Sequence, residues 1–248
     1  MTTPTEDAWR ALARSSPWRW RSAELTVRRR RVGCPETTVH AWLRKPGDVR
    51  IEADHEVGPD GGRVFTARDQ GQGPQPQDRP ATFRADGLVA TREPVLAGDD
   101  HGLYYEDYGW LAILDPLELA DGARWEDEGA TGPLAVPGTT LIDLVSAARA
   151  GRETWWATAA PTADYEPRCG CCALLYGEIA ERGEYGDSAP RRDDPAFAYT
   201  TRWLVGLDAA TGICVSLEFL DGSMRGLGHE VEIHALDEAY PDRIFARS

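Results

Sequence analysis

TVHAWLRKPGDVRIE, residues 38–52 of this 248-residue chain, predicts a β-hairpin. Aliphatic side chains alternate there with His40 and Trp42, which is the period-two pattern of a half-buried strand. The residues Lys-Pro-Gly-Asp at 45–48 supply a tight turn, and a second strand follows from 49 to 53. Strands joined by so short a turn are antiparallel, because a parallel pair needs a crossover of a dozen or more residues.

The same alternation recurs on both sides of this hairpin. Upstream, residues 18–32 predict one long strand with Ala23, Leu25 and Val27 on one face. Downstream, strands are predicted at 64–67, 88–91, 154–160, 199–207, 213–220 and 230–235. The last three are connected by Asp- and Gly-containing segments that suit tight turns. The sequence therefore predicts an antiparallel meander within a single domain of residues 1–248.

Apolar residues at helical spacing predict three short helices. The first covers 5–14 and is ended by Pro17, the second is a buried helix at 115–119, and the third covers 139–150 before a glycine. Two stretches, near 58–80 and 122–138, are rich in Gly, Pro and polar residues. Such composition predicts mobile loops.

The order of several short motifs resembles a known family. The long strand at 18–32 and the hairpin at 39–52 are followed by three further pieces in order: Gly151-Arg-Glu-Thr-Trp-Trp156, Leu207-Asp-Ala-Ala-Thr-Gly-Ile213 and Tyr240-Pro-Asp-Arg-Ile-Phe245. Together they span most of the chain and resemble the bacterial lipoprotein-carrier superfamily typified by LolA and LppX. The resemblance implies an α+β, mainly β fold, a strongly curved antiparallel half-barrel closed by a few short helices. It also implies an apolar cavity that holds acyl chains or other hydrophobic molecules.

Composition argues against a nucleic-acid partner and against insertion into a membrane. The net charge of −14, from 41 acidic and 27 basic residues, repels nucleic-acid phosphates and anionic lipid headgroups. No stretch approaches the roughly 20 apolar residues that a membrane-spanning helix requires. The first residues, Met-Thr-Thr-Pro-Thr-Glu-Asp, have no basic or apolar region of an export signal. We therefore expect a cytoplasmic, divergent member of the superfamily, with no nucleic-acid partner and no transmembrane segment.

Aromatic residues are the candidates for the wall of a ligand cavity. The nine tryptophans and a tyrosine-rich stretch supply large apolar surfaces, although ordinary core packing uses the same residue types. The predicted cavity residues are Trp20, Trp42, Tyr104, Tyr108, Trp110, Trp156 and Trp203. Their predicted ligand is a hydrophobic small molecule or lipid acyl chain.

Three of the five cysteines lie within one tetrapeptide, Cys169-Gly170-Cys171-Cys172. The cluster indicates buried or merely local thiols, a redox or disulfide switch, or a soft-metal site. A zinc site needs a fourth ligand, and neither a second cysteine pair nor a histidine cluster lies nearby in the sequence. No metal or cofactor is therefore predicted, and a redox-sensing or protein-interaction module that uses this cluster is the alternative function.

No catalytic motif is recognised, so no catalytic residue is predicted. The segment His229-Glu-Val-Glu-Ile-His234 is one residue longer than the zinc-protease signature, and on a strand its two histidines point to opposite faces. We expect both histidines to face solvent. The arginines at 28–31 also alternate faces and are expected to pair with acidic neighbours. The sequence thus favours a non-enzymatic binding protein.

Overall fold

Thirteen strands and three helices form the described part of the computed structural model, residues 3–57, 62–70, 75–93, 103–125, 133–191, 194 and 196–246. The helices are α1 (Glu6–Arg19), α2 (Tyr108–Leu114) and α3 (Glu178–Tyr185). Nine strands form the main sheet: β1 (Ser22–Arg30), β2 (Thr37–Arg44), β3 (Asp48–Ala53), β4 (Val64–Ala67), β9 (Thr139–Arg149), β10 (Arg152–Pro161), β11 (Trp203–Asp208), β12 (Cys214–Phe219) and β13 (Gly228–Leu236). The remaining strands form two small hairpins: β5 (Ala81–Phe83) with β6 (Val89–Arg92), and β7 (Asp121–Trp125) with β8 (Pro133–Pro137).

The main sheet consists of two meanders joined by one pair of strands. Its order is β4-β3-β2-β1-β13-β12-β11-β10-β9, and each neighbouring pair is antiparallel. The edge strands β4 and β9 do not pair with each other, so the sheet is not closed into a barrel. The predicted fold class, mainly β and antiparallel with a few short helices, is confirmed.

A single arginine shows how strongly the sheet curves. Arg149, at the end of β9, donates a 2.7 Å hydrogen bond from Nη1 to the carbonyl oxygen of Val231 in β13. Three strands lie between β9 and β13, so a flat sheet would separate them by about 19 Å. An arginine side chain cannot cover that distance, and the sheet must curl to bring the two strands together.

The buried face of the sheet and helix α1 share one core. Ala23, Leu25 and Val27 of β1 are at most 1% exposed, as their alternation predicts. Helix α1 packs beside β10, where the fully buried Trp9 donates from Nε1 to the carbonyl oxygen of Trp155 at 3.2 Å. Among the described residues, no helix combines the length and apolar character needed to cross a membrane.

Helix α1 is longer than the sequence predicts. It continues through Pro17 to Arg19, so the prediction that this proline ends the helix is wrong. A proline in the last turn removes only one backbone hydrogen bond. Carbonyl oxygens at the end of a helix have no intrahelical donor, and Lys45 supplies one here, because its Nζ lies 2.7 Å from Pro17 O and 2.8 Å from Trp20 O. The predicted strand at 18–32 accordingly shortens to β1, Ser22–Arg30.

The predicted helix at 139–150 is wrong, because the segment is strand β9. It pairs with β10 along a hairpin whose two turn residues, Ala150 and Gly151, have positive φ angles of 47° and 76°. A bulge interrupts β9 near Asp143, where φ is 55° and the register shifts. The extra residue breaks the period-two alternation, and the resulting spacing of apolar residues imitates a helix.

One loop prediction also changes. The predicted mobile loop at 122–138 contains strands β7 and β8, while residues 126–132 lie outside the described residues. The hairpin is held by close backbone packing, since a Cβ on Gly122 would lie 1.7 Å from the carbonyl oxygen of Asp164. The other predicted loop, 58–80, is described only at 62–70 and 75–80, which contain the predicted strand β4 and a 3₁₀ turn at Pro76–Asp78.

The predicted helix at 115–119 is a 3₁₀ turn, Leu117–Leu119, preceded by α2.

Gly228, at the start of β13, gives a test of the strand packing. Its φ is +136°, and a Cβ there would lie 1.8 Å from the carbonyl oxygen of Leu217 in β12. We expect Gly228→Ala to lower the free energy of unfolding by about 3 kcal/mol or more. The new side chain strains a backbone with positive φ, and the backbone of β12 must also shift to make room for it. Urea denaturation measures the difference.

Gly226 is the matched control. Its φ is +82°, but a Cβ there meets no atom within 4 Å. Gly226→Ala should therefore cost only about 1–2 kcal/mol of backbone strain. Equal losses in the two variants would contradict the close approach of β12 and β13.

Candidate functional site

A cleft of about 310 Å³ opens where β1, β12 and β13 end or begin. It is lined by the end of β1, the start of α2, the 3₁₀ turn Gly170–Cys172 and the loop between β12 and β13. These segments are far apart in the sequence. The cleft therefore exists only because the sheet pairs β1 with β13.

The floor of the cleft is apolar. Leu217 and Phe219 project from β12, Ile113 comes from α2, and Met224 and Leu227 come from the loop that follows β12. The first four of these side chains are at most 8% exposed. The ring of Phe219 packs edge-on against Trp203, with centroids 5.8 Å apart, so this floor is continuous with the protein core.

Arginines surround this apolar floor. The charged lining residues are four arginines, Arg29, Arg30, Arg31 and Arg191, and one carboxylate, Asp107. Glu106, Glu181 and Glu230 pair with these arginines from outside the lining, so the cleft concentrates guanidinium donors rather than net positive charge. Guanidinium donors in a partly enclosed site bind an anion more strongly than the same donors on an open surface.

Two of these arginines share acidic partners with each other. Arg29 Nη1 lies 3.2 Å from Asp107 Oδ2, and Arg31 Nη1 lies 3.0 Å from the same oxygen. Arg31 Nη2 also donates to Glu106 Oε2 at 2.8 Å. Arg29 Nη2 is buried and has no hydrogen-bond partner among the described residues. A buried donor without a partner costs free energy until it finds an acceptor.

The pairing predicted for the arginine run is confirmed. Arg28 and Arg30 lie 3.9 Å and 3.8 Å from Glu230, while Arg29 and Arg31 pair with Glu106 and Asp107. The alternation ends with β1 at Arg30, and the next residue belongs to a turn. Three of the four arginines consequently reach the cleft, which strand alternation alone does not predict.

His229 is buried, so the prediction that both histidines face solvent is wrong for this residue. Its side chain is in the lining of the cleft, and Nε2 donates to the carbonyl oxygen of Cys214 at 3.0 Å. Burial, with nearby arginines acting in the same direction, lowers the pKa of His229 to about 3. His234 is 33% exposed on the other face, as the alternation predicts, and stacks on His40.

The three cysteines of the tetrapeptide come together at the wall of the cleft. Cys169 Sγ lies 2.8 Å from Cys171 Sγ, which lies 3.7 Å from Cys172 Sγ, and all three sulfurs are within 4.8 Å of one another. Cys171 and Cys172 are part of the lining. Desolvation and the neighbouring Cys169 thiol raise the pKa of both residues, which keeps them protonated at neutral pH.

The seven predicted aromatic residues are not in the lining of this cleft. Trp110 and Trp203 are core residues, and Trp20 lies under Lys45, whose Nζ is 3.7 Å from the ring centroid. Trp42 stacks against His40 with centroids 4.2 Å apart. The structure brings together only one pair of the seven in ring contact, Tyr104 and Tyr108, with centroids 5.8 Å apart.

The last of the seven predicted aromatic residues, Trp156 of β10, packs against β11. A Cβ on Gly206 would lie 2.9 Å from its ring. The residues that sequence reasoning missed are aliphatic ones on β12 and in the loop after it. In the sequence these residues are visible as apolar positions on both sides of the turn at Asp221-Gly222, but residues of an ordinary core show the same pattern.

Comparison with known proteins leaves the family open. No protein-family model matches the chain, and no curated protein matches it. Among solved structures, a crystal structure of MucB aligns with a TM-score of 0.36 and 15% sequence identity, covering 97% of this chain. This chain spans 62% of the length of that MucB chain. The resemblance to the LolA and LppX superfamily stays a prediction.

The depressed pKa of His229 predicts acid sensitivity. The folded protein keeps this imidazole neutral down to about pH 3, whereas the unfolded chain takes up a proton near pH 6.5. Stability is therefore lost as pH falls from about 6.5 toward 3, by up to about 1.4 kcal/mol per pH unit. The free energy of unfolding should consequently depend less steeply on pH in His229→Gln than in the parent protein.

His234→Gln serves as the control because this exposed histidine has no comparable burial. Urea unfolding at a series of pH values between 7 and 4 compares the three proteins. Identical pH slopes for His229→Gln and the parent would show that His229 does not stay neutral in the fold.

Proposed function

We propose that the protein is a non-enzymatic binder of an amphipathic molecule with an apolar chain and an anionic head, held in the cleft. One observation carries the proposal: a floor of aliphatic and aromatic side chains lies directly beside four arginines. The bound molecule belongs to the class predicted from the sequence, a hydrophobic small molecule or acyl chain. Membership of the LolA and LppX superfamily and a cytoplasmic location are parts of the same proposal.

The apolar floor supports binding of a hydrocarbon chain. Burial of each methylene group contributes about 0.8 kcal/mol, before the cost of association is subtracted. The volume of about 310 Å³ is at the lower end of the range for small-molecule pockets. A chain of moderate length therefore fits the cleft better than a whole phospholipid.

The arginines support an anionic head. Arg29 Nη2 is a buried donor without a protein partner, and a carboxylate or phosphate oxygen is its natural acceptor. A charge-assisted hydrogen bond contributes about 1.5–3 kcal/mol. The negative surface of the rest of the chain keeps anionic membranes and nucleic acids away, so the local charge selects small anions.

Dodecanoate, decanoate and dodecanol are suitable probes, with binding measured by isothermal titration calorimetry. We expect dodecanoate to bind about tenfold more tightly than decanoate, because two methylenes are worth about 1.6 kcal/mol. Dodecanol should bind at least about fivefold more weakly than dodecanoate, since it lacks the charge that the arginines attract. Equal affinity for all three, or no binding, would overturn the proposal.

Two exposed valines supply matched variants. Val32 lines the cleft and is 50% exposed, whereas Val145 is 45% exposed in β9 and is not in the lining. Val32→Asp should weaken dodecanoate binding at least about fivefold, because it places a negative charge beside Arg31. Val145→Asp carries the same change in charge away from the cleft and should bind as the parent does.

A second function, redox sensing or redox-controlled protein interaction, is favoured by one distance. Cys169 Sγ lies 2.8 Å from Cys171 Sγ, so little movement is needed to join them. With hydrogen peroxide as oxidant, two thiols form one disulfide and two water molecules. The bond would fix the 3₁₀ turn that lines the cleft, and with it the surface offered to a ligand or partner.

Thiol counting tests the redox function. Of the five free cysteines, we expect peroxide treatment to remove two titratable thiols from the parent and none from Cys169→Ser. Cys34→Ser is the control, because Cys34 is exposed and is not part of the cluster. Retention of all five thiols after peroxide, or the same loss in Cys169→Ser, would eliminate this function.

A further inference from the structure

The geometry of the cysteine cluster suits a metal ion as well as a disulfide. An ion 2.3 Å from each of three sulfurs holds them about 3.8–4.0 Å apart. The observed contacts of 2.8 Å and 3.7 Å, with all three sulfurs within 4.8 Å, bracket that separation. Small rotations about the Cα–Cβ bonds are enough to reach it.

The backbone beneath the cluster is held in place by helix α3. Gly170 donates its N–H to Glu184 Oε2 at 2.9 Å, and a Cβ on Gly170 would lie 2.5 Å from the carbonyl oxygen of Ala180. The turn therefore packs so closely on α3 that only glycine fits between the cysteines. A fixed backbone lowers the entropy lost when the side chains converge on an ion.

Within the described part of the chain, the side-chain contacts recorded for these sulfurs are with one another. The contacts are Cys169 with Cys171 and Cys171 with Cys172. Thiols are weak hydrogen-bond donors and acceptors, so such contacts add little stability. As thiolates they are strong ligands for soft cations.

The surroundings balance the charge of a metal complex. Three thiolates around one monovalent or divalent cation carry a net negative charge of −2 or −1. Arg31 and Arg191 line the same cleft as Cys171 and Cys172. Their guanidinium groups can donate to a negatively charged complex, which the acidic surface elsewhere on the chain would oppose.

We propose that Cys169, Cys171 and Cys172 bind one soft d¹⁰ metal ion, Cu(I) or Zn(II), as a tris-thiolate site in the wall of the cleft. Cu(I) is satisfied by three thiolates. Zn(II) is almost always four-coordinate and takes a water molecule or the head of a ligand as its fourth partner. Because no fourth side chain joins the three sulfurs among the described residues, Cu(I) should bind more tightly than Zn(II).

Titration of the reduced full-length protein tests the site. Cu(I) is supplied with a competing chelator under anaerobic conditions, and Zn(II) is titrated separately. We expect one equivalent of Cu(I) to bind, with X-ray absorption showing three sulfur neighbours at about 2.2–2.3 Å. An absorption spectrum dominated by nitrogen and oxygen neighbours would overturn the assignment.

Variants locate the ion. The triple variant Cys169→Ser, Cys171→Ser, Cys172→Ser should bind less than a tenth of an equivalent, and Cys171→Ser alone should weaken Cu(I) binding at least about a hundredfold. Cys34→Ser, which leaves the cluster intact, should bind as the parent does. Circular dichroism shows whether the triple variant keeps the fold, and the exposed position of Cys171 makes its single variant a second, milder test.

The alternatives give different results. If neither ion binds to the reduced parent, or if Cu(I) binding survives in the triple variant, the metal site is wrong. A saturating amount of Zn(II), which has no redox chemistry of its own, should also slow the oxidation of Cys169 and Cys171 by peroxide, because coordination lowers the nucleophilicity of the sulfur and holds the two sulfurs apart. Loss of two thiols at the same rate with and without bound Zn(II) would likewise overturn the site, and none of these outcomes depends on dodecanoate binding.

Discussion

The antiparallel pairing of β1 with β13 is the constraint on which the rest of the structure depends. It joins nearly opposite ends of the chain, from Ala23 opposite Leu236 to Arg30 opposite Gly228. Side chains on a strand alternate faces, so a slip of one residue would turn Val27 out of the core. The same register places the arginine end of β1 beside His229. The core and the cleft are thus fixed by one set of backbone hydrogen bonds.

The cleft lies at the end of β12 and β13 where these two strands pair. Their register runs only from Ser216 opposite Glu230 to Glu218 opposite Gly228, and the loop that joins them supplies part of the floor. Arg149 reaches across from β9 to the Val231 carbonyl that β12 leaves unpaired. The curl of the sheet brings Arg149 within reach of this carbonyl oxygen.

Two kinds of chemistry meet at this cleft. Arginines and aliphatic side chains favour an amphipathic anion, while three sulfurs in the wall favour a soft cation or a disulfide. Cys171 and Cys172 belong to both arrangements. Any change in the state of the thiols alters a surface that a ligand would contact, which couples the two proposals physically.

The sequence by itself determined the features that depend on neighbours in the chain: the hairpin at 38–52, the buried alternation of β1, and the tight turns after β11 and β12. That 139–149 is a strand follows only from the tertiary structure. The bulge interrupts the period-two alternation of the sequence, so the strand is recognised only by its pairing with β10. The tertiary structure likewise decided that α1 continues past Pro17, where Lys45 donates to the carbonyl oxygens at the end of the helix. The predicted aromatic residues lie elsewhere for a related reason, since residue type records that a side chain is apolar but not which surface covers it. Only the pairing of distant strands brings arginines, aliphatic residues and thiols to one place.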